Sequence, residues 1–385
     1  MIKKRKICIV SSSRADYNHL YLLMKSLKSA KNINFKLILT GMHILKEYGN
    51  TYKEIINDGF KVDAYIKNNH HNNSKNTSLH IMSDQLASAG NVLDKIKPEI
   101  IIILGDRFDI LPVAIACHLK GIAIAHFHGG ELTYGAIDDA IRHSITKYSD
   151  IHFVANSNFK KRVIQLGENP KSVFNIGSLG VLAIKSTKMI NKDKLMKMFN
   201  IRDDYILISL HPETISDNND LIIKYLFKVL SEDVKYNIVF TSPNSDPGNK
   251  KIIQSINKFL RKYPSRSSFI TSAGREVYIN LVRHADILVG NSSSCVIEAP
   301  ALNTKSLLIG KRQNGRPIAP SVVKTGISYK SIKYYLNQLL NKDIRKQDMR
   351  YKLSYKGIDS IPKILKILST ITLKDIKLKR FNDQK

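Results

Sequence analysis

A chain of 385 residues, 43% of them hydrophobic, can bury more than one core, and its length favours two domains. The formal net charge of +29 would suit nucleic acid if it were clustered, but the lysines are spread along the chain. No helix-turn-helix, zinc-finger spacing or aromatic RNA-binding strand motif is present, so we predict an anionic small substrate and no nucleic-acid partner.

The sequence also lacks the patterns of a membrane span, a cleavable signal or a disulfide set. No apolar run approaches the roughly 20 residues of a membrane span, and the basic start leads directly into a predicted strand without a cleavable signal. Cys8, Cys117 and Cys295 lie far apart on apolar segments, which favours buried free thiols over a disulfide or metal set. We therefore expect a cytoplasmic protein with no membrane partner.

The first predicted strand, Lys6–Ser11, is followed by a turn over 12–17 and an amphipathic helix to about Ser29. Free backbone N–H groups and the helix dipole make such a turn an anion site, and here it carries Arg14 and Asp16. The alternative is that these residues only cap the helix. The turn has no GxGxxG pattern, which argues against a dinucleotide-binding site here.

A second predicted strand, Phe35–Thr40, ends near His43. Residues 67–78 are rich in Asn, His and Lys, and they predict a polar loop. Such a loop is either a solvated linker or a mobile lid over a binding cleft.

The central stretch contains two short apolar runs, Ile101–Leu104 and Ile122–Ala125, that flank a helical pattern. They are typical of buried parallel strands, whose carboxyl ends form the ligand-binding edge of an α/β sheet. Five polar side chains follow these two strands: Asp106, Arg107, His126, His128 and Glu131.

A further acidic cluster follows at Asp138 and Asp139. Helical spacing sets Asp138 beside Arg142, and Asp139 beside His143. Singly, these acids could be helix caps or surface ion pairs, whereas together they predict acid–base chemistry in one cleft. Asp106, His126 and His128 could alternatively ligate a metal, but we predict no metal site.

The alternation of strands and helices continues to the end of the sequence. We predict a domain boundary near 175–185 and two doubly wound halves. The later strands are predicted at 151–155, 173–177, 205–210, 237–241, 268–271, 287–289 and 306–309. His211 follows the strand at 205–210, and Asn244 follows the strand at 237–241.

A serine-rich stretch over 290–298 is the second chemical signal. Its small residues, among them Asn291, Ser292 and Ser293, would let backbone amides and hydroxyls cradle a diphosphate at a helix N-terminus. Glu298, one turn into that helix, could accept both ribose hydroxyls, and Arg312 and Arg316 could contact phosphate. The alternative is a plain helix cap.

Taken together, these motifs resemble the hydrolysing UDP-N-acetylglucosamine 2-epimerases, especially the bacterial branch that serves sialic acid and legionaminic acid synthesis. The similarity covers residues 5–330. The motifs are Ser13-Arg-Ala-Asp16, Gly105-Asp-Arg107, His126-Phe-His-Gly-Gly-Glu131, Asp138-Asp-Ala-Ile-Arg-His143, His211-Pro-Glu-Thr214 and Gly290-Asn-Ser-Ser293, with similarity also over 162–168 and 173–180.

The resemblance implies a glycosyltransferase-B-like α/β fold of two Rossmann-like doubly wound domains facing a cleft. Residues 1–177 would carry the acid–base residues, residues 178–357 would bind UDP, and residues 358–385 would cross back to the first domain. It also implies a UDP-sugar substrate, no cofactor, and a homo-oligomer, either a dimer or a tetramer.

The implied reaction removes the C2 proton of UDP-N-acetylglucosamine, eliminates UDP, and hydrates the glycal to N-acetylmannosamine. The implied catalytic residues are Asp106, Glu131, Asp138, Arg142 and His211. The implied substrate- and UDP-binding residues are Arg14, Asp16, His43, Asn244, Asn291, Ser292, Ser293, Glu298 and Arg312. Other branches of the superfamily have a glutamate at the position of His128, so the role of base is assigned to Glu131.

Three alternatives remain open at this point. The same reaction could act on UDP-2,4-diacetamido-2,4,6-trideoxyglucose in legionaminic acid synthesis. The fold would also suit a retaining glycosyltransferase or a nucleotide-sugar-binding regulatory protein. An epimerase that oxidises the sugar needs bound NAD, and the missing GxGxxG turn argues against that class.

Overall fold

A parallel sheet of seven strands organises the first half of the chain. The computed structural model describes residues 4–46, 49–68, 77–134, 137–202, 204–213, 219–232, 236–244, 248–271, 273–341, 359–374 and 379–383. The sheet has the order β3-β2-β1-β4-β5-β6-β7. Its strands are β1 (Arg5–Ser11), β2 (Ile33–Leu39), β3 (Ala64–Tyr65), β4 (Ile100–Leu104), β5 (Ala123–Phe127), β6 (Ile151–Val154) and β7 (Val173–Asn175).

Helices cover both faces of this sheet, and two separate apolar clusters form the packing layers. The continuous isoleucines of β4 explain the arrangement, because a strand buried on both faces has no polar alternation. The helices are α1 (Arg14–Ser29), α2 (Tyr52–Asn57), α3 (Thr77–Ile96), α4 (Leu111–Leu119), α5 (Asp138–Tyr148), α6 (Ser157–Gln165) and α7 (Leu179–Ser186).

A second parallel sheet of six strands follows, in the order β10-β9-β8-β11-β12-β13. Its strands are β8 (Tyr205–Ser209), β9 (Asn237–Thr241), β10 (Ser267–Ile270), β11 (Ile287–Gly290), β12 (Lys305–Ile309) and β13 (Val322–Thr325). The remaining helices are α8 (Lys192–Met198), α9 (Asn219–Glu232), α10 (Asn249–Lys262), α11 (Arg275–His284), α12 (Glu298–Ala301), α13 (Tyr329–Asn341) and α14 (Ile361–Thr370).

Both sheets reverse their strand order beside their first strand, between β1 and β4 and between β8 and β11. This is the Rossmann arrangement, in which ligands bind beyond the strand ends at the point of reversal. The structure therefore confirms the predicted α/β class with two doubly wound parallel sheets. The motifs after β1, β4, β8 and β11 lie at these two points.

The described contacts divide the chain into two compact units. The first contains Met1–Glu131, Asp138–Ala183 and Tyr355–Lys385, and the second contains Leu132–Ile137 and Ile184–Ser354. The division rests on contacts and does not test what each unit binds or catalyses. The assignment of acid–base chemistry to residues 1–177 and of UDP binding to residues 178–357 stays a prediction.

The elements that were not predicted include the short edge strands β3 and β13, and α3. Residues 77 and 78, predicted as loop, form the first turn of α3, and residues 69–76 lie outside the described part of the chain. Among the described helices, none is both long and apolar enough to cross a bilayer.

Candidate functional site

Arg142 on α5 connects the acidic residues of the first sheet. Its guanidinium, 1% exposed, forms an ion pair with Asp106, which follows β4. Its Nη1 also donates to Asp139 Oδ1 at 3.3 Å and to the backbone carbonyl of Glu131 at 2.9 Å. A buried guanidinium with several acceptors fixes their relative positions, because its donors have a rigid planar geometry.

The helical spacing predicted for the acidic cluster is present on α5. Asp139 lies 3.5 Å from His143, as expected for residues four apart. Arg142, however, reaches back three residues to Asp139. Asp138 is the first residue of α5 and is half-buried. The structure thus brings Asp106, Asp139 and the backbone of Glu131 to a single arginine.

His128 and Glu131 form a buried pair after β5. His128 Nδ1 lies 2.7 Å from Glu131 Oε1, and both side chains are buried. The pair depends on an unusual backbone, since His128 has a φ of +64° directly after the strand ends at Phe127. Few non-glycine residues adopt this conformation, and it turns the chain back so that a histidine and an acid three residues later can meet.

His126, two residues earlier, has a structural role. Its Nε2 donates to the carbonyl of Gly105 at 2.8 Å, and its Nδ1 lies 3.2 Å from Thr146 Oγ1. Burial lowers the pKa of His126 to about 3, so the ring is neutral at physiological pH. No cluster of three or more metal-ligand side chains occurs within the described residues.

The turn after β1 is closed by the side chain of Asp16. One carboxylate oxygen accepts hydrogen bonds from Ser12 N at 2.9 Å, Ser12 Oγ at 2.9 Å and Ser13 N at 3.0 Å. Ser13 caps α1 in return, which completes a capping box. Asp16 therefore supports the turn that carries Arg14, and its described contacts are internal.

His43 is fully buried beneath the same turn. Its Nε2 lies 2.9 Å from Ser11 Oγ, and its Nδ1 lies 2.7 Å from Thr51 Oγ1. Burial lowers the pKa of His43 to about 3. The described contacts place His43 under the turn as a neutral support, a role that the sequence pattern did not indicate.

In the second sheet, His211 after β8 is held by residues that follow β9 and β11. Asn291 Oδ1 accepts from the His211 backbone N–H at 2.8 Å, and Asn291 Nδ2 donates to the His211 carbonyl at 2.8 Å. The backbone N–H of Asn244 donates to His211 Nδ1 at 3.0 Å. Because Nδ1 is an acceptor, the proton of the neutral ring lies on Nε2, which is 3.3 Å from Ser292 Oγ.

Gly290 permits the close approach of β8 and β11 at this point. Its φ is +152°, and a Cβ added there would lie 1.9 Å from the Ser209 carbonyl oxygen. Only glycine fits at such a distance. The packing of these two strand ends is what brings Asn291 to His211.

The serine-rich stretch differs from the prediction, in which Glu298 lies one turn into a helix. It forms a single 3₁₀ turn, Ser293–Cys295, followed by the four-residue α12 that begins at Glu298. Asn303, with a φ of +57°, lies beyond the end of α12, as is common where a helix stops. Ser292 Oγ accepts from Ser294 N at 3.2 Å, so the turn is capped by its own side chain.

Two further residues, which no sequence motif indicated, support this turn. Gln313 Nε2 donates to the Asn291 carbonyl at 3.0 Å, from the loop that also carries the buried Arg312. The Tyr278 hydroxyl on α11 donates to Ser294 Oγ at 2.7 Å. Burial, with the nearby Glu298 carboxylate, raises the pKa of Tyr278 and keeps the hydroxyl protonated.

The chain matches known proteins over most of its length. The family model described as UDP-N-acetylglucosamine 2-epimerase matches residues 25–369. A GDP/UDP-N,N'-diacetylbacillosamine 2-epimerase (hydrolyzing) of Campylobacter jejuni is 37% identical over 330 residues, which cover 85% of this chain and 86% of that protein. The polysialic acid biosynthesis protein P7 of Escherichia coli is 37% identical over 331 residues, covering 85% and 84%.

Solved structures show the same fold. The UDP-GlcNAc 2-epimerase from Neisseria meningitidis, crystallised with UDP-GlcNAc, superposes with a TM-score of 0.78 at 17% identity, over 94% of this chain and 99% of that one. This agrees with the predicted glycosyltransferase-B-like fold class. The family match and the 37% identities carry the assignment: the chain belongs to the UDP-N-acetylglucosamine 2-epimerase family.

Proposed function

We propose that this enzyme is a hydrolysing 2-epimerase that converts UDP-N-acetylglucosamine to N-acetylmannosamine and UDP for sialic acid synthesis. A base removes the proton at C2 while the bond between C1 and the UDP oxygen breaks, leaving a double bond between C1 and C2. Water then adds at C1, and a proton returns to C2 on the opposite face.

The observation that carries the proposal is the cluster around Arg142. A proton beside an acetamido group is only weakly acidic, so its removal needs a positioned base and stabilisation of the departing diphosphate. Asp106, Glu131 and Asp138 supply acid and base groups at the carboxyl edge of the first sheet. Arg142 fixes Asp106 and the Glu131 backbone, which supports pre-organisation of these groups.

The second sheet supplies the groups proposed to hold UDP. His211 has its proton on Nε2, since Asn244 N–H occupies Nδ1, and it can therefore donate to a leaving phosphate without carrying a full charge. The hydroxyls of Ser292 and Ser293 and the guanidinium of Arg312 suit the diphosphate, and Glu298 suits the ribose. Arg14, from the turn after β1, is proposed as a further phosphate contact.

One comparison supports an alternative substrate. The relative from Campylobacter jejuni, whose name gives N,N'-diacetylbacillosamine as the sugar, is 37% identical to this chain, as is the polysialic acid protein. The same C2 chemistry applies to both sugars, because both carry an acetamido group at C2. UDP-2,4-diacetamido-2,4,6-trideoxyglucose is therefore the alternative substrate, for legionaminic acid synthesis.

The test is to incubate purified protein in heavy water with each sugar nucleotide separately, without added NAD. We expect UDP release and a 2-epimeric product that carries one solvent deuterium at C2, because the original hydrogen passes to an exchangeable group. The sugar with the higher kcat/KM identifies the substrate. Retention of the original C2 hydrogen would contradict elimination and support a redox or glycosyl-transfer reaction.

The predicted homo-oligomer, either a dimer or a tetramer, is a separate proposal. It is checked by light scattering of the same preparation, and a monomeric mass would contradict it.

A further inference from the structure

His128 is a residue of the candidate site for which the sequence motifs indicate no catalytic role, since related branches have a glutamate at its position. It follows β5 at the carboxyl edge of the first sheet, where ligands bind in folds of this kind. Its ring is more than nine-tenths buried. The ring thus lies beside Glu131, one of the proposed acid–base residues.

The two nitrogens of the ring have different environments. Nδ1 lies 2.7 Å from Glu131 Oε1, and an ionised carboxylate can only accept, so Nδ1 carries the proton. Nε2 is buried and makes no hydrogen bond to any residue in the described ranges. The neutral ring therefore keeps its lone pair on Nε2, the nitrogen without a protein partner.

The surroundings of the pair restrict its position. The His19 ring on α1 packs edge-on against the His128 ring, with centroids 5.4 Å apart. Gly180 on α7 makes room for His19, since a Cβ there would lie 2.6 Å from His19 Cε1. Arg142 from α5 donates to the Glu131 carbonyl, and Arg162 from α6 donates to the Gly130 carbonyl.

Among the described residues, the contacts around the His128–Glu131 pair involve the titratable groups of Glu131 and His19 and the guanidinium groups of Arg142 and Arg162. The two arginines are directed at backbone carbonyls, whereas the Glu131 carboxylate contacts the imidazole itself. A carboxylate on one ring nitrogen orients the ring and stabilises the imidazolium that forms when the other nitrogen takes a proton.

We infer that His128 Nε2 is the base that takes the C2 proton, and that Glu131 is a positioning residue that orients His128 and stabilises its protonated form. The inference rests on the proposed 2-epimerase reaction and reassigns the role of base from Glu131. His128 gains the proton, the C2–H electrons form the double bond to C1, and UDP leaves with the electrons of the C1–O bond. His128 later releases that proton to solvent.

The first test compares His128→Asn, His128→Ala and the control His118→Asn, which changes an exposed histidine on α4. Asparagine can still donate to Glu131 but has no group at the position of Nε2. We expect His128→Asn to lose at least about 100-fold in kcat with UDP affinity unchanged, and His118→Asn to keep wild-type kcat. Added imidazole should restore turnover to His128→Ala, since the cavity admits the missing base.

The second test separates the roles of the two residues by pH. Glu131→Gln should retain residual turnover whose acidic limb lies at lower pH than in the wild type, because a neutral amide no longer stabilises the imidazolium. Folding of each variant is verified by circular dichroism. A folded His128→Asn with at least half of wild-type kcat would overturn the inference, as would a folded His128→Ala that imidazole fails to activate.

These outcomes are distinct from failure of the proposed reaction. If the wild type itself released no UDP from either sugar nucleotide, the proposed function would fail. If the wild type were active and placed solvent deuterium at C2 while His128→Asn remained active, only the assignment of His128 would fail.

Discussion

Asn291 holds His211 through both backbone groups, although the two residues are 80 positions apart in the chain. The amide side chain donates to the carbonyl and accepts from the N–H, as a neighbouring strand would. Because both residues follow strands at the reversal point of the second sheet, this pair fixes the end of β8 where the phosphate is proposed to bind.

Replacing Asn291 should therefore destabilise the second sheet and weaken nucleotide binding. We expect Asn291→Ala to lower the free energy of unfolding by about 2–4 kcal/mol, because two partly buried backbone groups of His211 lose their partners. Asn291→Asp keeps the acceptor and should lose less. Urea denaturation and UDP calorimetry measure the two effects, and an Asn291→Ala variant with wild-type values of both would contradict the structural role.

Gly290 predicts a steric effect at the same place. Gly290→Ala would put a methyl group 1.9 Å from the Ser209 carbonyl oxygen, which β8 and β11 cannot both accommodate. We expect a loss of about 3 kcal/mol or more in unfolding free energy. The matched control is Gly326→Ala, since a Cβ at Gly326 meets nothing within 4 Å. Equal stability of the two variants would show that the strand ends can separate at little cost.

Glu298 predicts an effect on binding rather than on stability. We expect Glu298→Ala to weaken UDP binding by about 2–4 kcal/mol, because two ribose hydroxyls lose a charged acceptor. Glu276→Ala, which removes an acid from the first turn of α11, serves as the control and should leave UDP affinity unchanged. Calorimetric titration with UDP decides the matter, and equal affinities for the two variants would remove Glu298 from the site.

Much of the fold was predictable because its strands are short, apolar and bounded by polar turns. The strand at 237–241 was predicted with its observed bounds. The two-residue β3 is too short to show a periodicity, and β13 is a four-residue edge strand with a lysine. Both form because a neighbouring strand offers open hydrogen-bonding groups, which a local pattern does not reveal.

The candidate site was predictable only in part. Strand ends identified Asp106, Glu131, His211 and Asn291, since parallel strands bring their carboxyl ends to one edge. The pairing of His128 with Glu131 depends on a positive φ at a histidine, which sequence rules do not anticipate. The contacts of His43 depend on tertiary packing, which its motif does not reveal. Those of Asp16 are local and match the capping alternative that the sequence offered.

The contacts of Glu168 in the first unit predict that the stability of the fold decreases in acid. It binds His152 Nε2 at 2.9 Å, Lys147 at 2.7 Å and Lys379 at 2.8 Å. Burial opposes its ionisation, but His152 and the two lysines outweigh burial and lower its pKa to about 2. A lowered carboxyl pKa stabilises the fold above the unfolded pKa of 4.5, and this stability is lost as the pH falls towards 2.

We therefore expect on the order of 3 kcal/mol of unfolding free energy to disappear over that window. The measurement is urea denaturation from pH 6 to pH 3, with Glu168→Gln for comparison. The variant should be less stable at pH 6 and should show a shallower dependence below pH 4.5. Parallel pH profiles of the two proteins would assign the acid sensitivity to other groups.

The contacts of Arg142 predict that even the conservative substitution by lysine lowers turnover. Its guanidinium contacts Asp106, Asp139 and the Glu131 carbonyl together, and a lysine ammonium cannot meet three acceptors with the same planar geometry. Arg142→Lys should therefore lower kcat by about 100-fold or more, because misplaced acid and base groups no longer match the reacting atoms. UDP affinity should remain at the wild-type value, since the proposed UDP contacts lie mainly in the second unit.

The control is Arg5→Lys. Arg5 is the first residue of β1, at the amino end of the strand, and it donates to the Leu368 carbonyl. It should keep kcat within about twofold, since a lysine can also donate to a single carbonyl. Steady-state kinetics and UDP calorimetry on both variants complete the comparison. If Arg142→Lys matched Arg5→Lys in kcat, the positions of Asp106 and Glu131 would not depend on the guanidinium, and the arginine would act only in folding.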